Sequence, residues 1–261
     1  MEAKRLWAEQ RRRENMEGMF KASALALPLP PALPDALRVP QAVRSVVALL
    51  RFAPGDSPDP QRMAREVASL VEAGASAFGV CGDIEPFDDV YQHLLHIAQV
   101  THLPVVCHEL VLDPLQIVLA RAHGAAAVCL QREPHGEREF RQLLRAAHEV
   151  SLDVVAMAFT PADVEFFSST RRPGHDALGI RCITAACPEG VQEARRSAQL
   201  ERMAHAMPHD VLPMALLDCA AEVSADSLED AGFESFWLPV PWGDPDAVEK
   251  VRRVAAGHNV A

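Results

Sequence analysis

Residues 104–130 read PVVCHELVLDPLQIVLARAHGAAAVCL. An apolar run at 104–108 is followed by Asp113-Pro114, a stretch of helical period over 113–123, and a second apolar run at 126–130. A capping carboxylate with proline at the first helical position is a helix start. Two short apolar runs bracketing one helix form the βαβ unit of a parallel sheet.

The same alternation continues in both directions. It predicts further strands over 46–52, 77–81, 153–157, 177–180, 211–217 and 235–238. Helices are expected over 60–73, 87–101, 137–151, 160–169, 189–206, 223–231 and 245–255. Thr160-Pro161 and Asp244-Pro245 repeat the start signal, and Ala73-Gly74 and Ala231-Gly232 mark helix ends, where glycine permits the left-handed closing turn. Eight strands alternating with eight helices leave a closed barrel or an open doubly wound sheet. No Gly-rich fingerprint follows the first strand, so a dinucleotide fold has little support. The even count and the 261-residue length favour an α/β fold of the (β/α)8 TIM barrel type, with an N-terminal helical extension. Residues 3–25 are expected to form one amphipathic helix. The following LPLPPALPDALRVP, residues 27–40, reads as an extended connector. The expected organisation is therefore 1–40, helix and Pro-rich connector, and 41–261, barrel.

Composition narrows the function. The formal charge of −11 and pI near 5.4 argue against nucleic-acid binding and supply no positive field for a phosphorylated substrate. No apolar run is long enough to span a bilayer, so no membrane insertion is expected. The six cysteines, at 81, 107, 129, 182, 187 and 219, are dispersed and read as reduced thiols. The expected setting is intracellular and soluble: the cytoplasm, with a plastid as the alternative. His93 and His96 share a helical face without further ligands nearby, so no metal is expected, and no cofactor.

Several stretches resemble indole-3-glycerol phosphate synthases. Leu112-Asp113-Pro114-Leu115-Gln116-Ile117 is similar to that family's (I/V)DPYQ(I/V), Glu85-Pro86-Phe87 to its TEPxFF, and Ala231-Gly232 leading to Phe236 to its EAGxDAFLVG. The resemblance implies ring closure and decarboxylation of a carboxyphenylamino-deoxyribulose phosphate. That chemistry needs a general acid, a carboxylate and phosphate donors at the carboxyl ends of the strands. Position by position, the family's residues are replaced. Leu49 stands for its strand-one glutamate and Arg51 for a lysine. His108 stands for the general-acid lysine, Ala156 for the strand-five carboxylate, and Arg181 for the strand-six asparagine. Asp218 replaces a phosphate-loop glycine, where a like charge beside a dianion costs on the order of several kcal/mol. Pro239 and Pro241 bring no N–H. Lysine occurs only at 4, 21 and 250, and asparagine only at 15 and 259, so no shift of register restores them.

Two readings stay open. One is a degenerate homologue, a pseudoenzyme with no catalytic residues, serving as a binding, scaffold or assembly subunit with a protein partner or as a homo-oligomer. The other is a divergent carboxy-lyase of tryptophan biosynthesis, or an enzyme for a small anionic ligand. In the second, His108 and Glu109 are the candidate catalytic pair, and Arg51, His108, Arg181 and Asp218 line the barrel mouth. Against it stands the plainer arrangement in which the arginines pair with Asp218 and Glu109 and fill the mouth.

Overall fold

The computed structural model describes all residues other than 14–16, 39–43, 54–55, 57–58, 82–86, 171–179, 188–192, 218–224 and 259–261. Eight strands close into one barrel in sequence order: β1 (Ser45–Arg51), β2 (Ala75–Cys81), β3 (Val105–His108), β4 (Ala127–Gln131), β5 (Asp153–Ala158), β6 (Ile180–Ala185), β7 (Leu212–Leu216) and β8 (Ser235–Pro241). The described neighbours pair in parallel, and β8 closes on β1 from Ser45–Ser235 to Arg51–Pro241.

Because side chains alternate along a strand, each strand feeds two separate cores. Val46, Ala48 and Leu50 face outward to the helices, while Val47 and Leu49 face the barrel interior. The interior is apolar and filled by Leu49, Val106, Cys129, Met157, Met214 and the fully buried Trp237. Gly79 makes room for the indole. A Cβ there would lie 2.7 Å from the Trp237 ring and 2.8 Å from Leu49.

The barrel helices are α4 (Pro60–Glu72), α5 (Asp89–Val100), α6 (Pro114–Ala122), α7 (Glu137–Glu149), α8 (Pro161–Thr170), α9 (Glu193–Ala206), α10 (Ala225–Asp230) and α11 (Ala247–Ala255). The start read at Asp113-Pro114 is a full capping box. The Asp113 carboxylate accepts from Leu115 N–H, and the Gln116 side chain accepts from the Asp113 N–H.

The N-terminal region departs from the sequence expectation. The single helix over 3–25 is two, α1 (Glu2–Arg13) and α2 (Glu17–Ala26). The connector contains a third, α3 (Leu33–Leu37), whose Pro34 occupies the first turn, where a missing N–H costs nothing. This arm wraps the barrel. Arg11 and Arg12 of α1 bond Asp88 and Asp113, at the N-terminal ends of α5 and α6, at 2.6 and 2.7 Å. That is the end of the barrel where the strands finish. Helix α2 then packs along α6 on the outer wall, with Lys21 on Glu149 at 2.8 Å. The buried Arg121 receives the chain through the carbonyls of Leu27 and Pro28. Helix α3 closes the opposite end, with Leu33 and Leu37 buried in the interior cluster.

Strand six is also shifted. It was expected over 177–180, and 177–179 lie outside the described residues; β6 begins at Ile180 and runs to Ala185. Arg181 interrupts the apolar run and hid the continuing strand.

Two outcomes test this packing. Gly79→Ala should destabilise by about 1–3 kcal/mol, read by denaturant unfolding, because the interior has no room for the methyl group. His93 is buried and stacks on Phe52 at 3.8 Å, and burial pushes its pKa below the ordinary 6.5. The folded state thus binds this proton less readily than the unfolded chain. The contribution is fully present above pH 6.5 and is lost as pH falls from there toward the folded-state value. The melting temperature should fall on acidification, and His93→Phe should flatten that slope.

Candidate functional site at the barrel mouth

At the carboxyl end of the barrel, the inward positions of the first three strands form one row. Arg51 is the cross-strand partner of Cys81, and Cys81 of His108. The Arg51 side chain is exposed and makes no ion pair or hydrogen bond among the described residues, whereas Cys81 and His108 are half-buried. The His108 ring lies 5.6 Å from the Trp237 indole, so the barrel filling is the floor of this site. Trp237 Nε1 and Thr184 Oγ1 are buried there without a hydrogen-bond partner among the described residues.

Around the row, four inward strand-end positions are apolar, Leu49, Met157, Leu216 and Pro239, while Gln131 and Thr184, the cross-strand partners of Met157, are polar and uncharged. Ala156, which the resemblance sets at the strand-five carboxylate, faces the helices, and its neighbour Met157 faces the interior. The strand-eight end has few free donors. Pro239 and Pro241 have no N–H, Trp242 N–H donates to Arg51 O at 2.8 Å, and Asp244 N–H to Pro241 O at 3.1 Å. Asp244 itself is held by Lys250 at 2.7 Å, and that hydrogen bond lowers its pKa.

Two other expected residues, Glu109 and Arg181, are not brought together with Arg51 and His108. Glu109 turns away from the interior. Its fully buried carboxylate pairs with Lys4 of α1 at 3.0 Å and accepts from the Tyr91 hydroxyl at 2.6 Å. Trp7 stacks on Tyr91 at 6.0 Å, and the Lys4 ammonium lies over Phe87 at 5.4 Å. Burial and then the Glu109 charge push the Tyr91 pKa well above its ordinary value. This sealed cluster fastens the arm to the end of β3. Arg181, second residue of β6, sits at the opposite end of the barrel and bonds Asp153, first residue of β5, at 2.7 Å. Its expected place at the mouth followed from ending strand six too early. The same Asp153 carboxylate accepts from Leu33 N–H at 2.9 Å, so the pair anchors α3. Asp218 lies outside the described residues.

Cys81 escaped the sequence reading, although its parity with Arg51 and His108 was available from the strand alternation. Among the described residues no group of three or more His, Cys, Asp or Glu is placed to hold a metal ion. No described helix is long and apolar enough to cross a membrane.

Eight parallel strands closed in order, with polar side chains at their carboxyl ends, define a (β/α)8 barrel. The family model for indole-3-glycerol phosphate synthase matches residues 2–166, more than half of the chain, and the chain belongs to that family. It is 27% identical over 170 residues to the indole-3-glycerol phosphate synthase of Koribacter versatilis, covering 65% of this chain and 62% of that protein. It is 30% identical over 99 residues to the tryptophan biosynthesis protein TrpCF of Corynebacterium glutamicum, covering 38% of this chain and 21% of that one. The matches thus span less than two thirds of these relatives' lengths. Among solved structures, the tryptophan synthase alpha-subunit of Pyrococcus furiosus superposes with a TM-score of 0.57 at 13% identity, covering 82% of this chain and 96% of that one. Dihydropteroate synthase of Xanthomonas albilineans gives 0.57 at 18%, covering 83% and 90%. Both likenesses concern the fold.

The Lys4–Glu109 pair makes a clear prediction. Lys4→Met leaves a buried carboxylate without its cation and should cost about 3–5 kcal/mol in chemical denaturation. The triple change Lys4→Met, Glu109→Leu, Tyr91→Phe removes every polar member and should recover most of that loss.

Proposed function

We propose that this chain is a member of the indole-3-glycerol phosphate synthase family that has given up the synthase reaction and serves as a binding or assembly subunit. The observation that carries the reading is the lining of the mouth. Leu49, Met157, Leu216 and Pro239 occupy inward strand-end positions together with the uncharged Gln131 and Thr184, and none of these six offers a carboxylate or an ammonium. A synthase must protonate and expel a hydroxyl group while holding a phosphate dianion, and such groups contribute only from within hydrogen-bond reach. Lys4, near the end of β3, is consumed in the buried pair with Glu109, and Lys250, near the end of β8, is paired with Asp244.

A partner role is supported by the arm. Among the described residues, six of the seven exposed large apolar ones, Met1, Leu6, Met19, Leu25, Leu27 and Leu29, lie in the first 29 residues. Apolar side chains gathered on one element favour association with a protein surface, a second copy of this chain included. The five described cysteines are all free thiols, which fits a reducing compartment, the cytoplasm or a plastid.

A second reading, an enzyme acting on a small anionic substrate, is favoured by one observation. Arg51 and His108 share the inward row at the mouth on either side of Cys81, a guanidinium that can bind an anion and an imidazole that can transfer a proton.

The deciding experiment is turnover of the carboxyphenylamino-deoxyribulose phosphate by the purified protein. No indole-3-glycerol phosphate should form above the background of a His108→Ala variant. Turnover clearly above that control overturns the loss of synthase chemistry. The association is tested by analytical ultracentrifugation and co-purification from the native source. Replacing Leu25 and Leu29 by serine should abolish whatever complex forms. A complex untouched by that change, or a chain that stays monomeric and alone, removes the assembly role.

A further inference from the structure

We propose that Cys81 is a nucleophilic thiol, with His108 as its proton acceptor and Arg51 as the docking group for an anion, so that the mouth takes small carboxylate- or phosphate-bearing electrophiles. The inference goes beyond the assembly role and does not depend on it.

Three observations converge. The first is geometric. Arg51, Cys81 and His108 are successive cross-strand partners on β1, β2 and β3. Neighbouring strands lie about 4.8 Å apart, so three side chains of the same parity stand side by side. Their parity is inward. Cys81 packs against the interior cluster and His108 faces Trp237. The second is contrast with the other described thiols. Cys107, Cys129 and Cys182 are buried, and burial pushes the Cys107 and Cys182 thiols up, the latter to about 12. Cys187 is half-buried and is also pushed up by burial. A thiol in those surroundings is inert, whereas Cys81 is only partly buried and has the His108 imidazole as its cross-strand neighbour. The third is the free guanidinium. Arg51 is exposed at the rim and makes no ion pair among the described residues, so it is available to a ligand.

The chemistry follows the arrangement. His108 accepts the proton of the Cys81 thiol. The sulfur attacks the electrophilic carbon of a ligand whose anionic group rests on Arg51, and the leaving group departs with the electrons of the broken bond. With iodoacetate as the ligand, the carbon–iodine bond breaks, iodide leaves and a carboxymethyl thioether remains on Cys81.

Two reagents of similar size separate the parts of this proposal. The native full-length protein is treated with iodoacetate, which is anionic, or iodoacetamide, which is neutral, and each cysteine is followed by peptide mass spectrometry. Cys81 should be carboxymethylated about 10-fold faster than any other cysteine of the folded chain. Arg51→Gln, a change at an exposed position, should slow iodoacetate about 10-fold while leaving iodoacetamide within about 2-fold, because only the anion gains from the guanidinium. His108→Gln should slow both reagents, with the fold checked by circular dichroism. The proposal is overturned if Cys81 reacts no faster than Cys187 in the unmodified chain, or if Arg51→Gln slows both reagents equally. The wild-type comparison decides the first point even if a variant fails to fold. Neither result bears on the synthase assay, so the two readings fail separately.

Discussion

Everything in this molecule depends on filling the inside of a ring of eight strands. A closed parallel barrel has no second layer to borrow from, so its interior must be packed by its own inward side chains. Here the task falls on Trp237, which crosses from β8 toward β2 and finds space because Gly79 carries no side chain. One large side chain thereby couples the first two strands to the last, at the seam where the barrel closes. The same choice fixes the depth of the site. With an indole 5.6 Å below His108, the mouth is floored by an aromatic plane.

Charge is distributed in keeping with that filling. The buried Lys4–Glu109 pair and the Arg181–Asp153 pair stand at opposite ends of the barrel, and each fastens a piece of the N-terminal arm. Charges that might otherwise be read as catalytic are thus committed to docking. Burial of an ion pair rarely adds much stability over an apolar contact of equal volume, and its better-attested use is to fix one register among several. That use suits an arm that must seat α1 over β3 and α3 under the interior in one alignment.

Much of this was legible in the sequence, for identifiable reasons. The stretch 104–130 carried its periodicity, its cap and its proline in the open, and the structure realises each of them. Misreadings arose where one residue masks a pattern. Arg181 breaks the apolar run of β6, so the strand seemed to end where it begins, and its charge was assigned to the wrong end of the barrel. Ala156 and Met157 illustrate the period of two: a slip of one residue exchanges the interior for the helix layer. The proline-rich link looked unable to hold a helix, yet proline in a first turn is compatible with one. The role of Lys4 was invisible because nothing local to residue 4 announces a partner 105 residues away. Cys81 was passed over because comparison with a family directs attention only to positions where the family has something to lose.

The wrapping arm has a consequence for how the chain comes to be folded. Its docking partners Asp88, Asp113 and Glu149 lie 77, 101 and 128 residues downstream of the residues that grip them. At a synthesis rate of roughly 10 residues per second, the arm spends on the order of ten seconds outside the ribosome before those partners exist. Its apolar side chains face solvent throughout that interval. The segment that finally straps the barrel shut is therefore, for the length of its own translation, the part of the nascent chain most in need of a chaperone.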